Sequence, residues 1–124
     1  MSQYYEVDGE PVWNPGTLSS EMFLANVRIY EELLETPSGF GPMRNDECQI
    51  DPPVFEGFVN AMLVWWDHTG SQVIDVLVKG FIATLVTLAE KVGVEVRWPE
   101  HSEAFGRAES VLRLVTGLRG SMTA

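Results

Sequence analysis

The chain has 124 residues, a hydrophobic fraction of 45% and a formal net charge of −10, enough apolar material for one domain without metal or disulfide staples. A single cysteine excludes an internal disulfide, and no charged segment followed by an apolar one opens the chain, so the cytoplasm is the expected compartment. The acids crowd into one half: residues 1–60 hold eleven against Arg28 and Arg44, whereas residues 61–124 hold seven against six bases. Such a field repels nucleic acid and anionic membranes, so neither is an expected partner, and its ordinary service is solubility.

From the N-terminus, Tyr4–Val7 and Pro11–Trp13 read as short strands around Asp8-Gly9, a hairpin turn signal. Asn14-Pro15-Gly16 breaks the chain, and Thr17 is placed to cap a helix from Leu18 to Glu35, in which Met22, Phe23, Val27, Tyr30, Leu33 and Leu34 recur at helical spacing. In "IDPPVF", Asp51 is the expected N-cap and Pro52 the first helical residue, where its missing N–H costs nothing. Ile50 and Phe55 stand there as a hydrophobic staple. This helix runs to His68, and Thr69-Gly70-Ser71 breaks or bends it, with Gly70 suited to the position after the C-terminus and Ser71 to the next cap.

Gln72–Val92 is apolar almost all round, the pattern of a central core helix; its longest apolar stretch, Val73–Ala89, is short for a membrane span and carries Asp75 and Lys79. Gly93 ends it. "VEVRW", Val94–Trp98, alternates like a strand whose natural partner is the hairpin. Ser102 then caps a last helix to Gly117, and residues 119–124 should fray. The expected fold is mainly α, a four-helix bundle-like domain with a short N-terminal β-hairpin and one additional short strand; α+β is the alternative.

Two stretches could carry chemistry. In "GPMRNDECQIDP", Asp46, Glu47 and Asp51 could hold a hard cation, or Cys48 near a helix start could be a reactive thiolate. The spacing is not that of an EF-hand, and a polar loop with Cys48 packed as a small hydrophobe explains the same residues. In "WWDH", Trp65, Trp66, Asp67 and His68 could line an inter-helix pocket with Tyr30, but neighbours on a helix do not face each other, and Trp65 and Trp66 as core or interface anchors explain the same residues. Asp75 and Lys79 are spaced for an i,i+4 ion pair, and His101 beside Ser102 reads as loop and cap. Trp13 and Trp98, on the predicted strands, could form a face covered by a second copy, giving a homodimer, or equally could cap the helix layer from within one chain. The phosphate-loop, zinc-helix, C-x-x-C, dinucleotide and nucleophile-elbow motifs are missing from the sequence, so no metal or cofactor is expected.

Around "GPMRNDECQIDP" and "GVEVRWP" the chain resembles a small family of uncharacterised actinobacterial proteins over roughly residues 3–99. That resemblance implies no reaction, ligand or catalytic residue. The break around Trp66 and Gly70 is also similar to the helical-hairpin substrates of type VII secretion, but the wide Trp–Gly spacing, the short arms and the predicted sheet depart from their pattern. Two functions are therefore carried forward: a non-catalytic acidic protein-binding or regulatory module, and a small enzyme or small-molecule-binding protein with an aromatic inter-helix pocket. A nucleic-acid mimic would need acids at phosphate-like spacing, which the clusters Glu31, Glu32, Glu35 and Asp46, Glu47, Asp51 hardly show.

Overall fold

Asp8 and Gly9 both take left-handed backbone (φ 51° and 81°), the twist that a two-residue hairpin needs, and join β1 (Tyr4–Val7) to β2 (Glu10–Trp13). The computed structural model describes residues 1–99 and 102–124, with side chains of the last helix from residue 107 onward. After the hairpin come α1 (Thr17–Leu34), β3 (Glu47–Gln49), α2 (Pro52–His68), α3 (Gln72–Val92) and α4 (Ser102–Ser121). The sheet has the order β2-β1-β3, so the fold is α+β, four helices with a three-stranded sheet.

The third strand is not where the alternation in Val94–Trp98 places it. It is Glu47–Gln49, parallel to β1 with Cys48 opposite Tyr5. A tight turn delivers it: Asn45 and Asp46 are both left-handed (φ 53° and 61°), and Arg44 and Glu47 exchange two backbone bonds at 2.9 Å. Short polar side chains tolerate that conformation best after glycine.

Val94–Trp98 stays out of the sheet because α2 satisfies its backbone. Glu56 Oε1 accepts from Glu95 N at 2.9 Å, while the Asn60 amide accepts from Arg97 N at 2.7 Å and donates to Glu95 O at 2.9 Å. One buried asparagine thus replaces a neighbouring strand. The alternation itself is real, since Val94, Val96 and Trp98 pack against the core. The segment is extended for a topological reason: Asp75 meets Arg107 near the start of both α3 and α4, and Glu90 meets Arg119 near the end of both, so the two helices run parallel. An extended chain covers about 3.3 Å per residue against 1.5 Å in a helix, which lets a short connection return most of the length of α3.

Helix ends follow local chemistry with several corrections. Gly16, not Thr17, sits at the N-cap of α1. Asp51 does precede Pro52 at the start of α2, but its side chain makes no capping bond; its carbonyl accepts from Phe55 N at 2.9 Å. α2 and α3 are separate helices, broken where Thr69 and Ser71 are extended, and Gly70 is not left-handed. Ser71 Oγ caps α3 by accepting from Ile74 N at 3.2 Å, and Gly93 ends it at φ 88°. The C-terminus is tied down rather than frayed, because Met122 is buried and Thr123 O accepts from Asn14 N at 2.8 Å. The readings of His101 as loop and of Ser102 as a cap lie outside the described residues and side chains.

The core centres on Tyr5, whose ring stacks on Trp13 (5.0 Å) and meets Phe23 and Phe40 edge-on (both 5.8 Å), with its hydroxyl 2.9 Å from Ser20 Oγ. Such pairs contribute about 0.5–1.5 kcal/mol each beyond burial. α1 fixes the loop that carries Phe40: Arg28 donates to the carbonyls of Phe40 and Gly41, and Glu31 Oε2 accepts from Ser38 N and Oγ at 3.0 and 2.6 Å. Gly39 is left-handed there, and a Cβ on it would lie 2.7 Å from Asp51 O and from Phe55 N.

Asn60→Ala leaves the Arg97 N–H without its acceptor and is expected to lower unfolding free energy in urea by about 2 kcal/mol, with faster hydrogen exchange at Arg97. Unchanged stability and protection would show that something else holds the segment.

Candidate functional site

The Asp46 to Asp51 stretch does not converge on a site. Asp46, Glu47 and Asp51 are exposed, with Asp46 Oδ1 accepting only a 3.4 Å bond from Gln3 Nε2. Among the described residues, no group of three His, Cys, Asp or Glu side chains is placed to hold a metal ion. Cys48 is fully buried, with Sγ donating to Gly41 O at 3.3 Å. Burial pushes its thiol up to about 11, more than the Arg28 charge and the Gly41 bond bring it down. It is therefore a thiol, not a thiolate, at neutral pH.

The aromatic candidates point in different directions. Tyr30 and Trp65 meet at 5.9 Å, with Phe81 stacked on Tyr30 at 4.8 Å. Trp66, the next residue, is fully buried elsewhere and lies 6.5 Å from Trp98. His68 is exposed, its Nδ1 2.8 Å from the Val64 carbonyl of its own helix, and Asp67 is half-buried with Oδ1 lacking a hydrogen-bond partner among the described residues. A groove of about 500 Å³ beside Trp65 includes Leu34, Asn60, Val64 and Arg97 in its lining, but not Tyr30, Trp66, Asp67 or His68. Trp13 is only 6% exposed, turned onto Tyr5 and Phe23, and Trp98 is half-buried. The two indoles expected to share an exposed sheet face are thus turned inward, and Trp98 is not on the sheet.

The Asp75–Lys79 pair belongs to a larger lock. Asp75 Oδ1 accepts from Trp66 Nε1 at 2.7 Å and from Arg107 Nε at 2.9 Å, and Lys79 Nζ lies 3.5 Å from Oδ2. Arg107 also donates to Trp66 O at 2.9 Å and lies 4.7 Å over the Trp66 ring. Burial pushes the Asp75 carboxyl up, but the bonds from Trp66 and Arg107 outweigh it and hold the group below the usual carboxylate range. No local signal marks Arg107, because its partners are 32 and 41 residues away in sequence. With its donors engaged this way, the cluster joins helices rather than offering a free acid.

The uncovered chemistry lies on α3. Val73, Val76 and Leu77 are 68, 67 and 73% exposed, an apolar ridge on a helix that reads as core from composition. One turn on is Gly80, and beyond its own helix backbone no atom of the described residues comes within 4 Å of where its Cβ would be. Thr84 follows on the same face, its hydroxyl donated back to Gly80 O at 2.9 Å, so the polar hydrogen is already used. A groove of about 450 Å³ lies between α1 and α3, with Met22, Leu77, Gly80 and Thr84 in its wall; another of about 400 Å³ lies between α3 and α4, with Gly80, Thr84, Leu114 and Gly117. Both share Gly80, Thr84 and Leu118, and Leu77 links the first to the recess beside Val73 and Val76, making one surface. Among the described residues, Arg113 is the one ionisable residue lining it. A mid-helix glycine costs about 1 kcal/mol relative to alanine, and no packing within the described chain requires this one.

The sequence signal was present: 73, 77, 80 and 84 recur as a stripe at i, i+4, i+7 and i+11. By length and composition α3 is also long and apolar enough to cross a membrane, with mean hydropathy 1.7 over its most apolar window, 44% of which is buried.

Two outcomes follow. Asp75 has a depressed folded-state pKa, so its ion pairs stabilise above the unfolded carboxylate pKa, near 4, and fade as pH falls through the folded value. Melting curves of the protein and Asp75→Asn should therefore differ most at pH 7 and converge toward pH 3; a constant gap would contradict the lock. Cys48 should resist a water-soluble thiol reagent at pH 8 in the native protein and react fully in denaturant, whereas rapid native labelling would contradict its burial.

No curated protein and no solved structure matches the chain. A family model described as "Family of unknown function (DUF6086)" matches residues 1–123, taking in α4 as well as the stretch that carries the resemblance. The chain belongs to that family.

Proposed function

We propose that the chain is a non-catalytic protein-binding module whose docking surface is the outward face of α3. One observation carries this: a ridge of three largely exposed aliphatic side chains adjoins a mid-helix glycine with open space above it, on a surface almost free of charge. Large exposed apolar patches on soluble domains commonly mark binding sites. The strongly acidic remainder keeps such a chain in solution and opposes indiscriminate association. The surface differs from the acidic and aromatic one that composition suggests, because it is aliphatic and its binding should survive high salt. The enzyme reading has less to stand on, since the groove beside Trp65 does not take in Tyr30, Trp66, Asp67 or His68.

Burying a leucine contributes about 1.5–3 kcal/mol, so Leu77→Asp is expected to weaken partner capture at least about tenfold. The assay compares tagged wild type, Leu77→Asp and His68→Ala as baits in extract of the source cells, at low and high salt. His68→Ala should behave as wild type. Capture lost in His68→Ala and kept in Leu77→Asp would overturn the proposal.

A further inference from the structure

Resting on the α3 docking surface, we infer that its occupant is a second copy of this chain, packed close to antiparallel so that Leu77 of each copy seats over Gly80 of the other. The ridge and the trough lie on one helix only three residues apart. A two-fold axis crossing α3 between Val78 and Lys79 then brings 77 opposite 80, 76 opposite 81, and 73 opposite 84. Bulk meets space at the central pair, leucine over a glycine with an empty surround, and the outer pairs are apolar contacts, valine beside half-buried Phe81 and valine beside Thr84 with its hydroxyl turned back to its own helix. A surface that supplies both halves of its own fit is what a symmetric contact requires.

Charge selects the face: two copies at −10 repel, and they approach at least cost where Arg113, 3.8 Å from Glu109, is the one ionisable side chain lining the recesses among the described residues. The three joined recesses run from α1 across α3 to α4, so the face is wider than a single helix. Gly80 gains a reason for being glycine, since a side chain there would hold Leu77 of the other copy away.

The test is sedimentation velocity over a concentration series for the full chain, Leu77→Asp and Gly80→Arg, with circular dichroism to confirm folding. Both substitutions fall on exposed positions, where the fold is expected to tolerate them. The wild type should be a dimer, and both variants should dissociate at least tenfold more readily. Register is read by disulfide formation: Val73→Cys mixed with Thr84→Cys should cross-link. Either alone should not, because identical positions would lie about 16 Å apart along the helix, beyond the about 7 Å between Cα atoms that a disulfide spans. A monomeric wild type overturns the second copy, and if it floats with neutral phosphatidylcholine vesicles, a lipid surface replaces that occupant. A dimer untouched by Leu77→Asp, or equal cross-linking by each cysteine alone, also overturns it. If a monomeric wild type captures another polypeptide that Leu77→Asp loses, the docking surface stands while this inference fails.

Discussion

Asp75 is the residue on which the arrangement turns. At 100° per residue, the carboxylate lies almost opposite the stripe formed by Val73, Leu77, Gly80 and Thr84. Fixing Asp75 against the Trp66 indole and the Arg107 guanidinium therefore sets the rotation of α3 about its axis, and the stripe faces away from α2. The lock decides which apolar residues of α3 enter the core and which stay exposed. Its strength comes from partial burial: Asp75 and Arg107 are 17 and 21% exposed, so their attraction is screened less than that of the surface pairs.

A second contact holds the far end. Arg119 grips Glu90 with two bonds of 2.8 and 2.9 Å, which lower the Glu90 pKa, and α3 and α4 are thus joined at both ends. Between the two joints, Gly80 and Gly117 line the same groove, and neither has an atom within 4 Å of where its Cβ would stand. The parallel course of these helices needs a long return, which explains why Val94–Trp98 is extended and why α2 devotes Glu56 and Asn60 to it. Helix orientation, the unusual connection and the open groove are consequences of one set of joints.

Local signals in the sequence gave local structure. Asp8-Gly9, Asp51-Pro52, Ser71 and Gly93 each stand where their backbone chemistry places them, although Asp51 fills its position without using its side chain. Asn45-Asp46 is an equally good turn signal, and the acids and the cysteine around it serve that turn and β3 rather than a site. What could not be read depends on long-range partners: the pairing of β3 with β1, the capture of Val94–Trp98 by Asn60, and Arg107 over Trp66. Apolar composition in α3 suggested burial all round, while the position of the glycine, rather than the count of apolar residues, pointed to the face left open.

The central claim is that the exposed ridge of α3 is covered in solution by its counterpart. The most direct measurement is line broadening by a soluble paramagnetic probe, read on the methyl groups of the isotopically labelled chain. The account predicts that Val73, Val76 and Leu77 are shielded despite their exposure in the single chain, whereas Ile29 and Leu33, at 58 and 56% exposed on α1, broaden as free surface. Dilution should then restore broadening at the α3 positions alone. Equal broadening of both groups at every concentration would contradict it.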